Sequence, residues 1–185
     1  MLTRTFAPEL EIRGDGRTVV GLAVPFDSPQ QVRDGHGPSY TEEFVRGAFG
    51  RTIRERGPGG VKFMVQHNHA ALPIGRATVL REDPAGLYAE LRVSKTAQGD
   101  EVLELIRDGA LDGLSVGFSG ISEDKTSKRG VVRRTEVKLR EISAVAFPAY
   151  DNARIVAVRA DAFPSIDIAR RRLRLLALNT PRKIT

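Results

Sequence analysis

The stretch Gly109-Ala-Leu-Asp-Gly-Leu-Ser-Val-Gly-Phe-Ser119 contains a short β-strand with two contrasting faces. Side chains alternate along a strand, so Leu114, Val116 and Phe118 share one face. The other face carries only serine and glycine, namely Ser115, Gly117 and Ser119. This pattern predicts a strand over Leu114–Ser119, packed on a core by one face and bare on the other.

The residues before this strand contain both strand and helix patterns, without a regular alternation of the two. A helix is predicted over Thr96–Asp108, because Val102, Leu103 and Ile106 recur at helical spacing and Gly109 supplies a stop. A second helix is predicted from an apolar stripe, with Thr41 as N-cap and Glu42 and Glu43 in its first turn. That helix covers Thr41–Arg56, and the predicted strands are Leu10–Arg13, Thr18–Phe26, Val61–His67, Arg76–Arg81 and Leu87–Ser94.

The residues after Ser119 continue the β pattern. Val131–Leu139 and Glu141–Phe147 read as two strands or as one long bent strand, and Pro148 ends the run. Gln30–Gly37, Gly57–Gly60 and Ser122–Gly130 read as loops. About seven strands with helices between them predict a mainly β, α+β fold. We expect a closed or nearly closed antiparallel β-barrel surrounded by helices.

Composition limits the class of protein. The chain has 185 residues and no cysteine, which excludes disulfides and thiolate metal sites. Four of its six net positive charges lie in residues 161–185, so the body is close to neutral. We expect one domain over residues 1–160, followed by a basic tail with a helix at Ile166–Leu178. The amino terminus predicts neither a signal peptide nor a membrane span, so we expect a soluble intracellular protein.

Three residues could carry chemistry together. The bare face around Ser115 gives a hydroxyl room to approach a peptide carbonyl, although it could equally be a solvated face. Strand alternation predicts that His67 lies on the same face as Val61, Phe63 and Val65. It could be a neutral base or a structural histidine. Strand alternation predicts that Glu141 lies on the same face as several apolar residues, and a carboxylate buried there needs a partner. That partner is either a histidine or one of the arginines Arg133 and Arg140.

These segments together resemble the prohead proteases of tailed phages, a family that shares its fold with the herpesvirus assemblins. The resemblance runs over roughly residues 10–158. Its most distinctive parts are Gly109–Phe118 and the stretch Glu141-Ile-Ser-Ala-Val-Ala-Phe-Pro-Ala149. Shorter matching parts are Gly21–Phe26, Phe44–Phe49, Gln66-His67-Asn68 followed by Pro73–Arg76, and Gly86-Leu-Tyr88.

The resemblance implies a serine endopeptidase with Ser115 as nucleophile, His67 as general base and Glu141 as the residue that orients the base. His69 stays an alternative base, because the segment from His67 to Pro73 is one residue longer than the family pattern. His36 stays an alternative third member. The implied partners are a major capsid protein with its scaffold region, and the protease itself through self-cleavage. We also expect a homo-oligomer that acts inside the procapsid in the host cytoplasm.

Other functions remain as alternatives at this point. A non-catalytic capsid-assembly module of the same fold would not need Ser115. His67-Asn68-His69 and the basic charge are weakly typical of a nuclease, and a His-x-His pair can bind zinc. Arg170-Arg171-Arg172 could contact DNA, but adjacent helical residues point in different directions. We therefore expect no metal, no cofactor, no nucleic-acid partner and no membrane partner.

Overall fold

The computed structural model describes residues 2–6, 11–13, 16–33, 37–126 and 130–146. Within these ranges the chain is mainly β, with ten strands, two α-helices and a 3₁₀ turn at Pro58–Gly60. The helices are α1 (Gly50–Arg56) and α2 (Ala97–Asp108). The strands are β1 (Leu2–Phe6), β2 (Glu11–Arg13), β3 (Thr18–Pro25), β4 (Gln30–Arg33), β5 (Ser39–Phe44), β6 (Lys62–Val65), β7 (Gly75–Asp83), β8 (Gly86–Val93), β9 (Gly113–Asp124) and β10 (Val131–Val145).

The strands form one branched sheet. Hydrogen bonds connect them in the order β1-β9-β10-β6-β7-β8-β3-β2, and β5, which also pairs with β4, joins β10. In the described ranges no pairing connects β1 with β2, so the predicted closed barrel is wrong. The α+β class is confirmed.

The strand β10 explains the branching. Its 15 residues are long enough to pair with two short strands along one edge, while β9 occupies the other edge. Residues 131–134 pair with β5 and residues 141–144 pair with β6, and both pairings are parallel. The prediction of a purely antiparallel sheet is therefore wrong at these two contacts.

The core lies against the apolar faces of this sheet. Leu114, Val116 and Phe118 of β9 are fully buried, as the alternation predicts. The Phe118 ring packs edge-on against Phe44, with the ring centroids 5.2 Å apart. Phe44 in turn stacks on Phe49. This aromatic cluster fixes the inner face of β9 and therefore the direction of its other face.

The helix α2 confirms its prediction. The Thr96 hydroxyl caps it by accepting a hydrogen bond from the Gly99 N–H at 3.1 Å. Its apolar residues Val102, Leu103 and Ile106 are buried. Gly109 ends it in the left-handed conformation, with φ of 84°.

The predicted helix over residues 41–56 is half wrong. Residues 41–44 belong to the strand β5, a turn follows, and α1 begins only at Gly50. The reason is long-range pairing: β5 lies beside the start of β10, where Arg133 Nε contacts Glu43 at 2.7 Å and Arg134 Nε contacts Glu42 at 2.6 Å. The two carboxylates, read from sequence as a helical first turn, are instead buried counterions.

Several other boundaries differ from the predictions. The predicted loop Gln30–Gly37 contains β4, the strand β1 was not predicted, and β9 extends to Asp124. The alternative of one long strand is confirmed for β10. His36, Phe147 and the predicted basic helix lie outside the described residues. In the part of the chain that the structure describes, no helix is long and apolar enough to cross a membrane.

Candidate active site

Ser115 lies on β9, the second strand in the order of the sheet. Its strand, β9, has β1 on one edge and β10 on the other, with Thr5 and Ser143 directly opposite Ser115. The side chain points away from the aromatic cluster, as predicted. The prediction of a bare, open face is wrong, because Ser115 has no solvent-exposed surface.

His67 reaches this face through a turn. The strand β6 ends at Val65, and Gln66 and His67 follow with positive φ angles of 52° and 54°. Such angles are uncommon for residues other than glycine and persist only where neighbours hold them. Here the Gln66 N–H donates to the Ala144 carbonyl at 2.9 Å. The turn directs the imidazole over β9 and β10, so the prediction that it continues the apolar face of β6 is wrong.

Glu141 reaches the same face through a bulge. The register of β10 against β9 shifts between Leu139 and Glu141, which pair with Phe118 and Gly117. Leu139 and Ile142 are both core residues, although regular alternation would place them on opposite faces. The bulge therefore places Glu141 on the face opposite to the apolar residues with which regular alternation had grouped it.

The three side chains meet in one hydrogen-bonded chain. Ser115 Oγ lies 2.5 Å from His67 Nε2, and His67 Nδ1 lies 2.7 Å from Glu141 Oε1. The carboxylate can only accept, so Nδ1 carries the proton and Nε2 is left to accept from the serine hydroxyl. The His67 side chain is 19% exposed and that of Glu141 is 4% exposed. This arrangement is the geometry of a serine nucleophile with a base and an orienting carboxylate.

The alternative partners of Glu141 are not observed. Arg133 pairs with Glu43, and Arg140 forms no ion pair among the described residues. His69, the alternative base, is exposed two residues along the chain, and among the described contacts it has no hydrogen bond to Ser115. The structure thus brings together Ser115, His67 and Glu141.

Ser143 belongs to the same site and was not predicted. Its hydroxyl donates to Glu141 Oε2 at 2.7 Å and accepts from the His67 backbone N–H at 3.2 Å. It is fully buried and lies opposite Ser115 across the two strands. The sequence did contain a signal for Ser143: it lies two residues after Glu141, so strand alternation places the two side chains on one face of β10. One hydroxyl therefore holds both the carboxylate and the turn that carries the histidine.

A cavity of about 420 Å³ lies beside Glu141. Donor atoms of His67, His69 and Glu141 lie within 4.8 Å of one another, which is close enough to be gathered around a metal ion. Such an ion would compete for the carboxylate that holds His67, and two cations on the cavity wall would repel it. The donor set is therefore a poor fit for a resident metal. The cavity is lined by Lys62, Met64, His69, Ser119, Arg140 and Glu141.

Comparisons with known proteins identify the family to which the chain is similar. Residues 7–165 match the sequence profile of the caudovirus prohead serine proteases. The prohead protease of Enterobacteria phage HK97 is 29% identical over 153 residues, covering 82% of this chain and 65% of that protein. The capsid polyprotein of Pseudomonas phage PAJU2 is 28% identical over 106 residues, covering 54% of this chain and 16% of that protein. The chain thus spans just under two thirds of the first relative.

A solved structure extends the likeness to the fold. The capsid assembly protease of bacteriophage T4 superposes with a TM-score of 0.58 at 15% sequence identity. The match covers 80% of this chain and 97% of that one. At this identity the likeness concerns the fold alone. Taken with the profile match over most of the sequence, the chain belongs to the family of caudovirus prohead serine proteases.

Proposed function

We propose that this protein is a serine endopeptidase in which Ser115 is the nucleophile, His67 the general base and Glu141 the residue that orients the base. One observation carries the proposal: an unbroken chain of hydrogen bonds from Ser115 Oγ through His67 to Glu141. Family membership supports it, because the family is one of serine proteases.

The reaction begins with proton transfer. Ser115 Oγ forms a bond to the scissile carbonyl carbon, and its proton moves to His67 Nε2. Nε2 then gives that proton to the leaving amine as the carbon–nitrogen bond breaks, which leaves an ester on Ser115. Water, deprotonated by the same nitrogen, attacks the ester carbonyl. The carbon–oxygen bond to Ser115 breaks, and the hydroxyl recovers its proton from His67.

Glu141 orients the His67 ring and stabilises its protonated form. Its Oε1 fixes the proton on Nδ1, so Nε2 is available as a base, and the carboxylate stabilises the imidazolium formed in each transfer. The carboxylate is almost fully buried, and its attraction for the imidazolium is therefore weakly screened by water. Ser143 occupies its second oxygen and keeps it from rotating away from the ring.

We propose that the substrates are the scaffold region of a major capsid protein and the protease itself, cleaved during procapsid maturation. The names of the relatives, a prohead protease and a capsid assembly protease, support this class of substrate. In the same proposal, residues 1–160 are the protease domain and residues 161–185 a basic tail. The protein would act as a homo-oligomer inside the procapsid in the host cytoplasm.

The test is co-expression with the capsid gene of the same phage, followed by mass spectrometry of the capsid protein. A shortened capsid protein should form with the wild-type protease and be absent with Ser115→Ala or His67→Ala. His69→Ala should retain cleavage and serves as the matched control for His67. EDTA should leave the reaction unchanged, whereas a metal-dependent nuclease or protease would lose activity.

Two results would contradict the proposal. Cleavage that persists in both Ser115→Ala and His67→Ala would end the assignment of the nucleophile and the base. Capsid assembly that proceeds normally without any cleavage, and equally well with Ser115→Ala, would identify the protein as a non-catalytic assembly module of this fold.

A further inference from the structure

The cavity beside Glu141 lies within a few residues of Ser115 along β9. Pairing places Lys62, Glu141 and Gly117 in one row across β6, β10 and β9. Gly117 is two residues from Ser115 on β9, and Ser119, which lines the cavity, is four residues away. At a rise of about 3.3 Å per residue, the cavity begins roughly 7–13 Å from the nucleophile.

The cavity wall carries positive charge that no carboxylate among the described residues neutralises. Lys62 and Arg140 are exposed, and neither forms an ion pair among the described residues. The Lys62 ammonium has only a long contact of 3.5 Å to the Gly59 carbonyl. By contrast Arg133 and Arg134, seven and six residues earlier on β10, are each paired with a carboxylate of β5.

The one carboxylate on the wall is already engaged. Glu141 Oε1 accepts from His67, and Glu141 Oε2 accepts from Ser143. Its charge serves the catalytic histidine and lies almost fully buried. A group entering the cavity therefore meets two cations that no described carboxylate pairs, and one of them is an arginine that can bind a carboxylate through two parallel hydrogen bonds.

We infer that this cavity is a substrate subsite that binds an acidic side chain two to four residues from the scissile bond. The inference rests on the proposed protease function and names a specificity for it. Lys62 and Arg140 are the specificity-determining residues, since they attract a carboxylate and repel a lysine or arginine at the same position.

The experiment compares two charge-reversed variants of equal net charge. Lys62→Glu with Arg140→Glu reverses the cavity. Arg46→Glu with Arg54→Glu reverses two exposed cations that do not line it. Each full-length protein is incubated with chymotryptic peptides from a bacterial lysate, and cleavage sites are aligned by mass spectrometry. Labelling of Ser115 by a fluorophosphonate probe reports whether the catalytic centre is intact in each protein.

The wild type and the Arg46/Arg54 variant should both show enrichment of Asp and Glu at one position two to four residues from the cut. For a synthetic quenched peptide with Glu at that position, kcat/KM should exceed that of the Gln peptide by tenfold or more. The Lys62/Arg140 variant should label normally and reduce this ratio to about twofold or less. If its charge reversal prevents labelling, Lys62→Gln with Arg140→Gln replaces it and should also lower the ratio.

The contrary outcomes are distinct. Cleavage by the wild type without acidic enrichment, or enrichment unchanged in every cavity variant that labels, overturns the subsite and leaves the protease function standing. A wild-type protein that neither cleaves peptides nor reacts with the probe at Ser115 overturns the proposed function, and the subsite with it.

Discussion

Replacement of Ser143 by alanine tests whether the site depends on a hydroxyl that makes no contact with the reacting atoms. The substitution removes the hydrogen bond to Glu141 Oε2, which is worth about 1.5–3 kcal/mol because its acceptor is charged. It also removes the acceptor for the His67 N–H, worth about 0.5–1.5 kcal/mol. We expect the free energy of unfolding to fall by about 2–4 kcal/mol.

The kinetic effect should be smaller than that of losing the nucleophile. Glu141 keeps its hydrogen bond to His67 in Ser143→Ala but can rotate, so the ring is less firmly oriented. Loss of a group that orients a metal-ligating side chain lowers activity by about 10- to 100-fold, and we expect a loss in the same range here. The corresponding rise in the activation free energy is about 1.4–2.7 kcal/mol. Ser115→Ala, in contrast, removes the atom that forms the bond.

The assay is the second-order rate constant for labelling of Ser115 by a fluorophosphonate, together with urea unfolding of each variant. Ser143→Thr keeps the hydroxyl in a fully buried position, so it should lose stability through crowding but retain most of its labelling rate. Ser122→Ala is the control, because it removes an exposed hydroxyl–hydroxyl contact with Thr135 on the same pair of strands. It should change neither quantity by more than about 0.5 kcal/mol.

Two results would refute this reasoning. Ser143→Ala with wild-type labelling and wild-type unfolding would show that the hydroxyl holds neither Glu141 nor His67. Probe found on Ser143 in the wild-type protein would show that the nucleophile itself is misassigned.

Three further predictions concern stability and are measured by urea unfolding. Glu42→Ala should cost about 1.5–3 kcal/mol, because it removes one charged partner of the buried Arg134 guanidinium and leaves the contact with Glu123. A cost under about 0.5 kcal/mol would contradict this. The hydrogen bond from Lys125 holds the pKa of Glu123 below its usual range. Glu123 therefore stabilises the fold at a pH above its unfolded-state pKa, and this contribution is lost as the pH falls through its folded-state pKa. Glu123→Gln should thus be destabilising at pH 7 and close to neutral at pH 2; an equal effect at both would refute it. Gly86→Ala should lower the free energy of unfolding by about 3 kcal/mol or more. The φ angle of Gly86 is 151°, and a Cβ there would lie 2.0 Å from the Val24 carbonyl oxygen, so the backbone would be strained. An unfolding midpoint equal to that of the wild type would contradict this strain.

The sequence predicts well where a local signal determines the structure. Alternation alone placed Leu114, Val116 and Phe118 in the core, and the cap and stop signals of α2 gave its bounds within one residue. These features depend on neighbours in the chain, so no knowledge of the tertiary structure was needed.

Prediction from sequence fails in segments whose secondary structure is determined by pairing with a distant strand. The residues Glu42 and Glu43 suit a helical first turn as well as a strand, and only their pairing with the arginines of β10 selects the strand. Propensity is a weak guide in such a segment, because tertiary contacts override it.

The site shows a mixed result. Its predicted members Ser115, His67 and Glu141 do meet, and their catalytic roles stay predictions. The faces assigned to His67 and Glu141 were wrong, because strand parity cannot reveal a left-handed turn or a β-bulge. Ser143 was overlooked although its position two residues after Glu141 places both side chains on one face of β10.

The amino-terminal strand has a practical consequence for work with this protein. β1 hydrogen-bonds to the edge of β9 that β10 leaves free, with Thr5 opposite Ser115. A strand has two such edges, so a peptide cannot add itself to the sheet beside Ser115 until β1 leaves. An affinity tag fused ahead of Leu2 would therefore sit within a few residues of the reaction centre. Rates measured with tags at opposite ends of the chain should not be assumed to be interchangeable.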